Sequence, residues 1–135
     1  MSLKGKYRAF SNFPPLKESQ EVQRYTDKET NFGYDNFHDI LQDLYNEIDE
    51  LKEEIEIQNK TNNNKQRIFE ELGDVLFVLG NLANRYDIDS AEALKYSIKE
   101  FERRMIYCEE HYNGELKNAP IDTMIALWKE AKKNN

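Results

Sequence analysis

Apolar residues recur through the middle of this chain at steps of three and four, first at Ile40, Leu41, Leu44, Ile48, Leu51 and Ile55. That period belongs to one face of an α-helix, and its length predicts a long amphipathic helix. The pattern stops in Asn59-Lys60-Thr61-Asn62-Asn63-Asn64, a polar run of turn formers with nothing apolar to bury. A second helix is expected from Lys65 to about Tyr86, with Ile68, Leu72, Val75, Leu76, Leu79, Leu82, Ala83 and Tyr86 at helical spacing. The short loop between them predicts an antiparallel hairpin. Within the second helix, Val75-Leu76-Phe77-Val78-Leu79 overruns a single stripe, so this stretch is expected to be covered on most sides.

The flanks carry weaker patterns. Residues 1–13 mix Lys4, Lys6 and Arg8 with Tyr7, Phe10 and Phe13 and are read as a loose N-terminal arm, leaving 14–135 as one domain. Pro14-Pro15 fixes an extended entry to a polar helix from Leu16 to Thr30, with Leu16, Val22 and Tyr25 turned inward. Gly33 marks a turn. After Asp87-Ile88-Asp89-Ser90, where Asp89 or Ser90 can cap, a third long helix should bury Leu94, Ile98, Phe101, Met105 and Cys108. Asn113-Gly114 is a turn, and Ala119-Pro120 precedes a short helix with Ile121, Met124, Ile125 and Trp128 inward. The fold class expected is all-α.

Acidic residues change this picture at two places. Glu47-x-x-Glu50 lies at the margin of the first apolar stripe and Glu71-x-x-Asp74 recurs in the next helix. A three-residue offset turns about 300° around a helix, so each pair leaves one edge of its helix, and a hairpin can aim all four at one point. Hard carboxylate oxygens of this kind suit Mg²⁺ or Mn²⁺. A solvated acidic face is the competing reading. Asp74, Asn81 and Arg85 share one stripe of their helix, and an Asp among Leu and Phe calls for a cation or a donor. Lys95, Lys99 and Arg103 line up at steps of four with Arg104 alongside, as a phosphate clamp or as a face paired with Glu100 and Glu102.

Composition narrows the classes. The formal charge of −7 disfavours wrapping a nucleic-acid backbone, which needs clustered Lys and Arg. One cysteine, Cys108, rules out an intrachain disulfide, and no apolar run has the length of a membrane span, so a cytoplasmic protein with no membrane partner is expected. No Walker-type glycine loop is present, which leaves ordinary γ-phosphate chemistry without its cradle.

Glu70-Glu71-Leu72-Gly73-Asp74-Val75-Leu76-Phe77, the Glu47/Glu50 pair before it, Asn81-Leu82-Ala83 after it and Phe101-Glu102-Arg103-Arg104 further on resemble the MazG family of all-α nucleoside triphosphate pyrophosphohydrolases. Pro15-Leu16 with Gln20 and Gln23-Arg24, and Leu127-Trp128-Lys129-Glu130-Ala131-Lys132, extend the resemblance over most of the chain. It is closest to the C-terminal of the two domains in longer MazG proteins. The resemblance implies hydrolysis of ribo- or deoxyribonucleoside triphosphates to monophosphate and pyrophosphate, a role in nucleotide-pool housecleaning, and a bundle completed by a homodimer, with a tetramer as the alternative. It implies Mg²⁺, or Mn²⁺, on Glu47, Glu50, Glu71 and Asp74 as the catalytic metal site. Asn81 is implied to hydrogen-bond the nucleotide and Arg103 or Arg104 to meet phosphate, with Arg85 and Lys99 as further substrate contacts. Asn46, Asp43 and Glu100 depart from the usual acid, Lys and Lys of the family, and an aromatic is displaced to Phe37, so substrate preference is left open. A dUTP-type or phosphoribosyl-ATP pyrophosphohydrolase of the same fold, and a non-catalytic dimeric helical module, are the alternatives.

Overall fold

A computed structural model describes residues 2–134. Met1 of the expected arm and Asn135 of the expected domain lie outside the described residues. The described elements are helices α1 (Leu3–Phe10), α2 (Pro15–Glu29), α3 (Phe37–Thr61), α4 (Lys65–Arg85), α5 (Ser90–His111) and α6 (Ile121–Lys133), with a 3-10 turn at Leu116–Asn118. No strand occurs among the described residues, as the all-α reading expects. None of the helices is long and apolar enough to cross a membrane. The chain divides into two compact units, one ending at Ala91 and the other beginning at Glu92.

In the first unit α3 and α4 form the expected hairpin, packed along much of their length. The asparagine run explains its tightness. Asn62 adopts the left-handed conformation (φ 55°) that closes α3, and its N–H donates to Gln58 O at 2.7 Å. Asn64 Nδ2 donates to Glu54 O at 2.9 Å and to the Glu54 carboxylate, which ties the start of α4 back to α3. At the other end Asn36 caps α3, its Oδ1 accepting the Asp39 N–H at 3.1 Å.

Helix α2 opens with Pro15, whose missing N–H costs nothing in the first turn, and packs on α4. Leu16, Val22 and Tyr25 are half-buried, but the fully buried side chains of α2 are Gln20 and Gln23. Gln20 Nε2 donates to Asn84 Oδ1 (2.9 Å) and Ile88 O (2.8 Å). Its Oε1 accepts from the Ser90 N–H (2.8 Å) and hydroxyl (2.7 Å). Gln23 Nε2 donates to Phe77 O at 2.9 Å. Gly80 permits this approach, since a Cβ there would lie 3.1 Å from Ser19 Oγ and 3.3 Å from Gln23 Nε2.

The stretch expected as a loose arm is instead helical. Leu3, Tyr7 and Phe10 do follow a four-then-three step, hidden among basic residues over only two turns. Ser2 caps α1 through the Gly5 N–H at 3.1 Å. The helix docks on α2 through a Tyr7–Thr26 hydroxyl bond and an edge contact between the Phe10 and Tyr25 rings, 6.0 Å between centroids.

The expected covering of Val75 to Leu79 is only partly supplied by the described residues of the first unit. Val78 is 8% exposed, whereas Leu72, Leu76 and Leu79, on one stripe of α4, remain 49%, 49% and 41% exposed. Packing on α2 and α3 covers only part of the helix circumference.

In the second unit α5 and α6 bury Cys108, Leu127 and Ala131. The Phe101 and Trp128 rings meet at 5.6 Å, with the Arg104 guanidinium 5.5 Å from the Trp128 ring centre. Leu94, Ile98 and Phe101, expected inside, are exposed, and so are Ile121 and Ile125. Met105, Met124 and Trp128 are half-buried. Gly114, at φ 132°, makes the expected turn in a conformation that L side chains rarely adopt.

Candidate metal centre and adjoining cavity

Antiparallel pairing of α3 with α4 brings the two carboxylate pairs together. One oxygen from each of Glu47, Glu71 and Asp74 lies within 4.8 Å of the other two. Glu50 completes the group by sharing side-chain hydrogen bonds with Glu47 and Glu71. Burial, followed by the charges of Glu50 and Asp74, pushes the Glu47 carboxyl up to about 7. Burial first, then the bond to Glu50, also raises Glu71. Asp74 is exposed, contrary to its expected burial, because α4 turns this side toward the open face.

The group fits a cation. Glu47 Oε2 and Glu71 Oε2 are buried and have no hydrogen-bond partner, a costly state for an acceptor unless something positive meets it. The donor set is all carboxylate oxygen, which selects hard divalent ions such as Mg²⁺ or Mn²⁺ over those preferring nitrogen or sulfur.

One turn before Glu47 on α3 stands Asp43, and one turn beyond Asp74 on α4 stands Phe77, and both line the same cavity. This space of about 400 Å³ is enclosed further by Tyr7, Thr26, Phe32 and Tyr34, with the buried Gln23 and Asn81 in its wall. Tyr34 feels the charges of Asp43, Asp27 and Glu47, so cavity and carboxylates are neighbours. Its hydroxyl donates to Asp43. Burial, then that bond, pushes the phenol above its usual range and keeps it a neutral donor. Burial likewise raises Asp27, against a hydrogen bond from Asn81 that lowers it.

Asn81 and Arg85 also line a smaller cavity of about 160 Å³ with Arg24, Asp27 and Tyr34, and Arg85 donates to Asp35 O at 3.4 Å. Lys99, Arg103 and Arg104 belong to the second unit. Lys99 pairs with Glu102 at 3.4 Å. Arg103 holds Glu100 through two bonds of 3.0 and 3.3 Å and donates to Ala131 O (3.1 Å) and Asn134 O (2.7 Å). The hydrogen bond from Arg103 keeps the Glu100 carboxyl below its usual range. Arg104 meets the same carboxylate at 3.4 Å, and its buried Nε has no hydrogen-bond partner.

Sequence reasoning missed the cavity's Tyr7, Asp27 and Phe32. The available signal was Phe32-Gly33-Tyr34, two aromatics around a glycine in the loop between predicted helices.

An all-α hairpin carrying E-x-x-E opposite E-x-x-D places the chain in a known class. It belongs to the MazG nucleotide pyrophosphohydrolase domain family, which matches residues 35–108. Among individual proteins, it is 27% identical over 127 residues to the nucleoside triphosphate pyrophosphohydrolase of Escherichia coli (strain K12), covering 90% of this chain and 46% of that protein. It is 42% identical over 65 residues to the uncharacterized protein YabN of Bacillus subtilis (strain 168), covering 46% of this chain and 13% of that one. The chain thus spans less than half the length of these curated relatives.

Proposed function

We propose that this protein hydrolyses nucleoside triphosphates, ribo- or deoxyribo-, to the monophosphate and pyrophosphate, with Glu47, Glu50, Glu71 and Asp74 holding Mg²⁺ or, as the alternative, Mn²⁺. The observation that carries this reading is the convergence of Glu47, Glu71 and Asp74, with Glu50 acting on the first two and with two buried, unpartnered oxygens, beside a cavity of nucleoside dimensions. When bound, a divalent ion supplies charge neutralisation for phosphate oxygens and a bound water of lowered pKa. The chain's own residues supply position. Glu47 and Glu50 on α3 and Glu71 and Asp74 on α4 hold the acidic centre one helical turn from cavity residues Asp43 and Phe77, and Phe77 gives the nucleoside an apolar wall. Asn81 is the nucleotide's amide contact, already oriented by Asp27. Of the two arginines, Arg104 is the one assigned to phosphate, because its Nε has no hydrogen-bond partner.

The family match and the similarity to a nucleoside triphosphate pyrophosphohydrolase support this assignment. A purely structural helical module gains nothing from orphaned carboxylate oxygens in its interior. The exposed stripe Leu72, Leu76 and Leu79 supports a second copy of the chain as its cover, giving a homodimer or a tetramer built from it.

A panel of ribo- and deoxyribonucleoside triphosphates incubated with Mg²⁺, with pyrophosphate and inorganic phosphate measured separately, tests the function. Pyrophosphate should be released intact and chelator should stop its release. Turnover that ignores chelator, or that yields inorganic phosphate first, would remove the quartet from the mechanism.

A further inference from the structure

The cavity beside the carboxylates has flat apolar faces, contributed by Tyr7, Phe32, Tyr34 and Phe77, and a polar edge whose hydrogen-bonding sense can be counted. The Thr26 hydroxyl donates to Val22 O at 2.7 Å, so the Tyr7 hydroxyl donates to Thr26. The Tyr34 hydroxyl donates to Asp43. The Gln23 amide donates to Phe77 O and to Ser19, and Asn81 donates to Asp27. The hydroxyl protons of this wall are therefore all engaged within the protein, and so is the Gln23 amide. Beyond one remaining amide proton of Asn81, what stays open is chiefly acceptor capacity, since each carboxylate offers about four lone-pair sites and the bonds just named use few of those on Asp27 and Asp43.

A second observation places much of this lining, Asp27 included, before the segment that the family match covers, although Asp43, Phe77 and Asn81 lie within it. Tyr7, Asp27, Phe32 and Tyr34 all precede residue 35, where the family match begins. Gly33 holds the loop against one of the acceptors, because a Cβ there would come within 3.1 Å of Asp27 Cγ and Oδ1. A side chain at this position would press on the Asp27 carboxylate and require it to give by a few tenths of an ångström.

Resting on the triphosphate hydrolase reading, we infer that the cavity selects nucleotides whose base carries an exocyclic amino group, and that Asp27 is the specificity-determining residue. Cytosine presents an amino donor where uracil presents a carbonyl oxygen. Facing Asp27 and Asp43, the amino group finds an acceptor, while the carbonyl meets lone pairs and loses its water without return. The aromatic faces accept any ring and add affinity without discrimination.

The comparison of cytidine with uridine nucleotides isolates the amino group. For the wild-type chain, kcat/KM of pyrophosphate release should favour CTP over UTP, and dCTP over dUTP, by at least about tenfold. Calorimetric titration without metal should show CMP binding more tightly than UMP in the same sense. Asp27→Asn replaces one acceptor atom by a donor and should narrow both ratios by at least about fivefold, with the melting temperature held. Asp43→Asn provides a second variant at the same edge. Equal use of CTP and UTP by the wild-type chain would overturn the inference, and so would an Asp27→Asn variant that lowers both substrates in proportion. CMP preferred over UMP with no triphosphate hydrolysed would support the inference and defeat the hydrolase reading. Hydrolysis without base preference would do the reverse.

Discussion

Replacing Glu47 by Gln should stabilise the metal-free protein above neutral pH, and the size of the effect follows from the crowding of carboxylates. In the folded chain the Glu47 carboxyl is raised from 4.5 to about 7. At face value that shift is worth about 3 kcal/mol, and for a carboxyl only partly withdrawn from solvent, screening leaves on the order of 1–2 kcal/mol. The sign is fixed by linkage. A carboxyl raised on folding contributes its stability in full below about pH 4.5, and that contribution is lost as pH rises through about 7. Gln keeps the shape of the protonated acid and does not titrate, so the variant escapes this loss. Thermal melts in chelator should therefore coincide near pH 4 and separate at pH 8, where Glu47→Gln melts higher by on the order of 5 °C. Adding Mg²⁺ at about 100 times its dissociation constant should reverse the order, because the wild-type chain gains roughly 2.7 kcal/mol by mass action and the variant, lacking a ligand charge, gains less. A separation that is the same at pH 4 and pH 8, or a variant that melts lower in chelator at pH 8, would refute the account of a repulsive acidic centre.

Three further outcomes are expected. Gln20→Ala leaves the acceptors at Asn84 and Ile88 and the donors at Ser90 unmatched in a buried place and should cost about 2 kcal/mol or more in denaturant unfolding, with the denaturant slope retained. Light scattering over micromolar dilution should give at least a dimer, and Leu76→Glu, which puts a charge in the exposed stripe of α4, should shift it toward monomer; a wild-type chain that stays monomeric and fully active removes the second copy from the proposal. Arg104→Ala should raise KM several-fold with helix content unchanged, and Arg103→Ala should chiefly lower the melting temperature through its lost bonds to Glu100 and the α6 carbonyls; loss of stability in both with kinetics intact would assign both arginines to structure alone.

The acidic centre was legible in the sequence because its geometry is local. Glu47 with Glu50, and Glu71 with Asp74, each need only the pitch of one helix, and the asparagine run between them announces the reversal that brings the pairs together. The cavity was not legible, since Tyr7, Asp27, Phe32 and Phe77 come from three helices and a loop, and nothing in their spacing says that they meet. Gln20 and Gln23 escaped for another reason. An apolar pattern marks what leaves water by hydrophobicity and is silent about an amide that leaves water fully hydrogen-bonded. Leu94, Ile98 and Phe101 were expected inside because their period is helical, but a period reports that a face is to be covered and not which chain covers it.

The hairpin loop has a consequence for how this chain can vary. Asn62 is tied to Gln58 and Asn64 to Glu54, so both sides of the reversal are stitched to the same helix. An inserted residue cannot be taken up as slack without undoing one of those stitches. If it is passed on into α4 instead, it turns the helix by about 100° and slides it by about 1.5 Å. Glu71 and Asp74 would then point away from Glu47 and Glu50 with every acid still present. The length of this loop is in this way as much a determinant of the acidic centre as the identity of its four carboxylates, and a census of residues alone would overlook it.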